Sequence, residues 1–90
     1  MEINNIMEEF VLKHLDKMMN SDENICKCEK CRMDVAMLAL NNLNPHYVST
    51  DKGNIYTSIS LYEKSNEIDI MCALGRAIKI VGDNPQHVDQ

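Results

Sequence analysis

Three cysteines lie close together in the chain, at Cys26, Cys28 and Cys31. Their C-x-C-x-x-C spacing lets three thiolates converge on one tetrahedral metal ion without long-range folding. A helix predicted to follow them directly, together with basic neighbours, lowers the pKa of nearby thiols and so favours the thiolates that zinc binds. We therefore predict a zinc site, with a redox dithiol, inert surface cysteines and an iron–sulfur cluster as the alternatives.

A tetrahedral site needs a fourth ligand, and Cys72 is the sulfur that remains. Cys72 falls in an apolar helical pattern, where a lone cysteine is also typical of a small buried hydrophobe. His46 and His14 are the rival ligands, although each taken alone is typical of a loop or helix-face histidine. We predict Cys72 as the fourth ligand and keep the core interpretation beside it.

The size and charge of the chain limit the classes of protein to which it can belong. Its 90 residues make one domain, residues 1–90, and a core this small usually needs a staple such as a metal. The net charge of −5 has the wrong sign for gripping duplex DNA through its phosphates. The acidic start is unlike a signal peptide, and no apolar run approaches the roughly 18 residues of a membrane span. We expect a cytoplasmic protein without membrane insertion, in which disulfides are disfavoured.

Helical periodicity dominates the pattern of apolar residues. It predicts helix 1 over residues 3–20, helix 2 over 32–43, and helix 3 over 66–81 with an alternative start at Ser58. Helix 2 is apolar on nearly every side, which predicts a central position in the core.

The segment between helices 2 and 3 carries a turn signal at residues 51–54, flanked by apolar residues. This pattern favours a short β-hairpin, although the later part of the segment also fits a helix. The predicted fold class is mainly α: a small, zinc-stapled, homodimeric helical domain of three to four helices with this short β-hairpin.

The three clustered cysteines, which we call the cysteine triplet, precede a second motif. This motif has the pattern D-V…A-L-N-x-L…P-x-Y, and it begins at Asp34 and ends at Tyr47. With this arrangement the chain resembles the ComFB family of late competence development proteins, most clearly over residues 6–62. The resemblance implies a small, mainly helical, zinc-binding homodimer without enzymatic activity, encoded in some bacteria with the DNA-uptake machinery. It also implies that some relatives act as cyclic-dinucleotide receptors. Cys72 matches no family position.

The residues themselves suggest no reaction, because no catalytic triad, phosphate-binding glycine loop or H-E-x-x-H motif occurs. We therefore predict a regulatory module that binds another protein. The alternative is a receptor for c-di-GMP or c-di-AMP, which needs cations for two phosphates and flat side chains for two bases. A thiol redox or metal-handling protein is a third interpretation. The candidate residues for binding the cyclic dinucleotide are Arg32, Tyr47, Lys52, Tyr56, Arg76 and Lys79.

Helix 1 has apolar residues over more of its circumference than one packing face can cover. Surplus apolar surface of this kind usually marks an interface, so we predict that helix 1 packs on its copy in a two-fold homodimer. The predicted interface residues are Ile3, Ile6, Met7, Phe10, Val11, Leu15 and Met18, with Met19 beside them.

Overall fold

A computed structural model of the chain describes residues 3–49 and 55–84, except for the side chains of residues 55–58. These residues form three helices and one two-stranded antiparallel sheet, so the predicted mainly helical class is confirmed. The elements in chain order are β1 (Ile3–Asn5), α1 (Ile6–Asn20), α2 (Glu29–Asn41), β2 (Tyr47–Ser49) and α3 (Ile55–Asp83).

The first helix begins at Ile6 and not at Ile3, because Asn5 caps it. The Asn5 side-chain oxygen accepts the backbone N–H of Met7 at 3.1 Å, which satisfies a donor left free at the helix start. The same oxygen accepts the backbone N–H of His46 at 2.9 Å, and the Ile6 N–H donates to the His46 carbonyl at 2.7 Å. Asn5 therefore joins the start of α1 to the segment that leads into β2.

The predicted β-hairpin is wrong, because β2 pairs with β1 at the start of the chain. The register sets Ile3 opposite Ser49 and Asn5 opposite Tyr47. Residues 55–61, predicted as the second strand, belong to α3, which begins earlier than either predicted start. Ile59 and Tyr62, three residues apart on that helix, both pack against the core, so tertiary packing selects the helical alternative. The predicted turn at residues 51–54 lies outside the described residues.

A single chain covers the core face of α1. Phe10 is only 3% exposed, and the core is closed by α2 and α3. The apolar residues of helix 1 thus do not mark surplus surface, because most of them are buried within a single chain. The predicted interface residues buried in the chain's own core are Ile6, Met7, Phe10, Val11 and Leu15; Met18 is half-buried and Ile3 is exposed on β1.

The second helix is less central than its composition predicts. Val35, Ala36 and Ala39 are buried, but Met33 and Met37 are each half exposed. The long α3 supplies much of the remaining core through residues spaced three and four apart. They are Ile70, Ala73, Leu74, Ala77, Ile78 and Val81. Within the described part of the chain, no helix has the length and apolar character needed to cross a membrane.

Candidate metal centre

The thiols of Cys26, Cys28 and Cys31 meet at the start of α2. Their three sulfurs all lie within 4.8 Å of one another. Three thiolates on a tetrahedral zinc ion, with Zn–S bonds of about 2.3 Å, have their sulfurs about 3.8 Å apart. Small side-chain rotations would bring the three sulfurs to that spacing, and soft thiolate donors suit zinc. The donor set and its geometry therefore fit a zinc ion.

Cys28 is the N-cap of α2 and orients the triplet. Its sulfur accepts the backbone N–H of Cys31 at 3.5 Å, and its carbonyl accepts the N–H of Arg32 at 3.0 Å. The helix therefore begins at Glu29, earlier than predicted, because a cysteine side chain takes the capping role usually filled by Ser, Thr, Asp or Asn. Capping holds Cys28 and Cys31 on one side of the first turn.

The triplet combines thiols in opposite electrostatic environments. The pKa of Cys28 is lowered from 9.0 to about 7, first by the hydrogen bond from the Cys31 backbone and then by that with the Cys26 side chain. Burial, and after it the hydrogen bonds with and charges of the Cys28 and Cys26 sulfurs, together raise the pKa of Cys31 to about 12. Cys28 is exposed, whereas only 1% of Cys31 is exposed. A metal ion would therefore find one thiol that ionises readily and one that must lose its proton as the metal binds.

Local hydrogen bonds shape the loop between α1 and α2. The Asp22 carboxylate accepts the backbone N–H of Asn24 at 3.0 Å, which forms an Asx turn. The Lys27 ammonium donates to the carbonyl oxygens of Asp22 at 2.7 Å and Ile25 at 3.3 Å. Lys27 thus closes the loop on the residue that precedes the triplet.

Ile25 anchors this loop in the core. Its side chain is buried, and two of its carbons lie 3.7 and 3.8 Å from where a Cβ on Gly82 would stand. Gly82 is in the last turn of α3, so the C-terminal end of that helix lies beside the loop. The triplet begins at the next residue, Cys26.

Cys72 lies outside the cysteine cluster. It is exposed on α3 and lines a groove of about 330 Å³ together with Asn44, Tyr62 and Arg76. Cys72 is therefore neither joined to the three clustered sulfurs nor part of the core, and its assignment as fourth ligand is corrected.

The two rival histidines are also elsewhere. His14 faces the Glu63 carboxylate, with Nε2 and Oε2 3.3 Å apart, and Lys13 pairs with the same carboxylate at 3.0 Å. The His46 ring stacks on Tyr62 with their centroids 3.9 Å apart. Neither histidine joins the three sulfurs.

The described residues that were predicted to hold a cyclic dinucleotide lie on three elements, with Arg32 on α2, Tyr47 on β2, and Arg76 and Lys79 on α3. Arg32 is bound by Asp16 of α1 at 2.8 Å. Lys79 pairs loosely with Asp83 at 3.8 Å, and Tyr47 is exposed on β2. Lys52 and the Tyr56 side chain lie outside the described residues.

Arg76 alone among the described candidates lines the groove that contains Cys72. The polar wall of this groove was missed by sequence reasoning, although the asparagines just before Pro45 were a signal for it. Its other lining residues are Met7, Asn42, Leu43, Asn66 and Asp69.

Comparisons with known proteins identify relatives of this chain. The family profile described as Late competence development protein ComFB matches residues 4–85. Competence protein ComFB of Bacillus subtilis strain 168 is 31% identical over 84 residues, which are 92% of this chain and 86% of that protein. The solved structure described as the structural characterization of the late competence protein ComFB from Bacillus subtilis matches with a TM-score of 0.79 at 28% identity. It covers 99% of this chain and 98% of that chain.

Proposed function

Because this chain belongs to the ComFB family of late competence development proteins, we propose that it is a non-enzymatic regulatory protein of the cytoplasm. It acts as a homodimer that binds another protein, and each protomer is stapled by one structural zinc ion. The observation that carries the metal assignment is the convergence of three sulfurs within 4.8 Å, one of them buried in the core.

Cys26, Cys28 and Cys31 would hold the zinc ion. The ion would have a structural role, cross-linking the loop to α2, and no catalytic role. Cys31 is continuous with the hydrophobic core, so a metal bound there ties the loop to the helices. Structural zinc sites contribute directly to folding free energy, which a chain of 90 residues has little room to gain elsewhere.

An exposed apolar stripe on α3 supports a macromolecular partner. Leu61, Ile68 and Met71 follow helical spacing and are all exposed, with Ile68 at 76%. This face, which we call the outer stripe, points away from the core face carried by residues such as Ile70 and Leu74. A second copy of the chain is the occupant we propose, since two outer stripes related by a two-fold axis can bury each other.

Gly75 extends the outer stripe by one turn. No atom lies within 4 Å of where its Cβ would stand. A helix without a side chain at this position lets another helix approach closely. The dimer seam is therefore proposed on α3, whereas the core face of α1 is covered by its own chain.

Elemental analysis combined with light scattering tests both parts of the proposal. Protein purified without chelator should contain one zinc per chain and scatter with twice the 10.3 kDa mass of one chain. Protein that contains no metal would exclude the zinc staple, and a mass of one chain at high concentration would exclude the homodimer.

The cyclic-dinucleotide receptor is the second candidate function, and the groove lined by Arg76 and Tyr62 is the observation that favours it. Two features of the groove weigh against the receptor. Two phosphates call for more than one cation, whereas Arg76 is the cation among the described lining residues, and the Asp69 carboxylate lies in the same groove. Calorimetry with c-di-GMP and c-di-AMP, on wild type and on Arg76→Ala, tests it. Micromolar binding that Arg76→Ala weakens at least tenfold would support the receptor, and a flat titration would exclude it.

A further inference from the structure

The groove that contains Cys72 runs along one face of α3. Its lining residues on that helix are three or four positions apart and so share a face: Tyr62, Asn66, Asp69, Cys72 and Arg76. From the first to the last of them the helix rises about 21 Å. A chain in the extended polyproline II conformation rises about 3.1 Å per residue, so about seven residues match this length. We propose that the groove binds an extended segment of a partner protein, one with a basic and an acidic side chain three positions apart; this deepens the proposed binding of another protein and rests on it.

Asp69 and Arg76 place opposite charges in the groove, about 10.5 Å apart along the helix axis. Both residues are exposed, and neither forms an ion pair with any residue that the structure describes. The carboxylate can therefore accept hydrogen bonds from a basic side chain, and the guanidinium can bind a carboxylate through two parallel hydrogen bonds. Residues three positions apart in polyproline II lie on the same side of the chain, about 9.3 Å apart, which matches the spacing of the two charges.

Asparagine side chains in the groove complement a peptide backbone. The Asn42 side-chain nitrogen donates to the Leu38 carbonyl at 2.9 Å, and that of Asn66 donates to the Tyr62 carbonyl at 2.9 Å. These bonds fix both side chains, while their oxygens accept no hydrogen bond from the described part of the chain. A polyproline II segment has no internal hydrogen bonds, so its N–H groups are available to such acceptors.

The groove and the proposed dimer seam occupy different sides of α3. Asp69 and Arg76 each directly follow a residue of the outer stripe or its extension, namely Ile68 and Gly75. Consecutive residues of a helix point about 100° apart, so the two groove charges face away from the seam. A homodimer formed through the outer stripe therefore leaves both charges for a third chain.

A panel of nine heptapeptides provides the test. Each peptide is blocked at both ends, has Lys, Asp or Gln at its third and sixth positions in every combination, and has Ala elsewhere. Fluorescence polarisation measures the affinity of wild type for each labelled peptide. The two peptides with one Lys and one Asp should bind at least about tenfold more tightly than the peptide with two Gln, because they add charge-assisted hydrogen bonds at both ends of the pair.

Charge reversal in the groove should change which peptide binds best. Arg76→Glu should prefer the peptide with two Lys, and Asp69→Lys should prefer the peptide with two Asp. Lys79→Glu makes the same kind of change at an exposed position of α3 outside the groove, so it should keep the wild-type preference. Far-UV circular dichroism checks that the three variants retain the wild-type fold.

A wild type that binds all nine peptides equally, or none of them, would overturn the inference. So would a preference that is the same in Arg76→Glu and Asp69→Lys as in wild type, because the peptide would then bind elsewhere. Binding of c-di-GMP that Arg76→Glu weakens, without any preferred peptide, would assign the groove to the cyclic-dinucleotide receptor instead. Metal content and scattering mass of the same preparation test the zinc staple and the homodimer independently of the peptides, so the two failures are distinct.

Discussion

The Cys28 sulfur accepts the backbone N–H of Cys31 at 3.5 Å, so the first turn of α2 brings two proposed metal ligands together. The bond satisfies one of the N–H groups left free at a helix start. It is also the largest of the interactions that lower the pKa of Cys28 to about 7. Helix capping and preparation of a metal ligand are thus one interaction at this position.

Loss of one clustered cysteine should remove both metal and stability. Metal at a thousand times its Kd stabilises a fold by about 4 kcal/mol, and 1 kcal/mol shifts the Tm of a domain this size by about 4–8 °C. Cys28→Ser should therefore lose its zinc and melt at least about 15 °C below wild type. Cys72→Ser, which changes an exposed cysteine outside the cluster, should retain both. Calorimetric melting with elemental analysis measures this, and equal losses in the two variants would return Cys72 to the site.

Metal uptake should depend on pH because the three thiol ligands bind as thiolates, and two of them have shifted pKa values. Cys31, with a pKa near 12, is protonated in the metal-free chain at neutral pH and must release that proton to bind. Cys28, with a pKa of about 7, adds a further released proton mainly when the pH falls below that value. Apparent zinc affinity should rise with pH and do so more steeply below pH 7. Titration calorimetry in buffers of different ionisation enthalpy counts the protons, and an affinity independent of pH would contradict the thiolate site.

Ile25 should matter to the metal site although it is not a ligand. Replacing a buried Ile with Ala costs about 2–5 kcal/mol through lost contacts and the cavity left behind. Ile25→Ala also frees the loop from Gly82, so zinc affinity should fall together with stability. Ile80→Ala, on an exposed part of α3, should change neither by more than about 0.5 kcal/mol. Urea unfolding and zinc competition measure the two effects, and an unchanged affinity in Ile25→Ala would show that the loop holds the site without this anchor.

Two apolar-to-acidic changes separate the core from the proposed dimer seam. Phe10→Asp places a charge in the core and removes contacts whose loss alone costs about 3–5 kcal/mol, so this variant should unfold. Ile68→Glu, on the outer stripe, should keep its circular dichroism spectrum and scatter with the mass of a single chain. Leu12→Glu, an equivalent change at an exposed position of α1, should remain dimeric. A dimeric Ile68→Glu with a monomeric Leu12→Glu would move the seam to α1.

Features that depend on neighbouring residues could be predicted from the sequence. The C-x-C-x-x-C spacing brings three sulfurs together because a loop and one helical turn suffice to do so. Helical periodicity predicted all three helices, since the residues that share a helix face are close in sequence. Errors in their boundaries came from capping groups such as Asn5 and Cys28.

Features that depend on distant residues were decided by tertiary packing. β2 pairs with β1 across more than 40 residues, and no local pattern identifies a partner so remote. The same limit applies to Cys72, whose apolar surroundings in sequence gave no sign that α3 turns it toward a groove at the surface. The burial of Phe10 within its own chain is likewise invisible in the pattern of α1, because apolar periodicity shows that a face is buried but not which chain buries it.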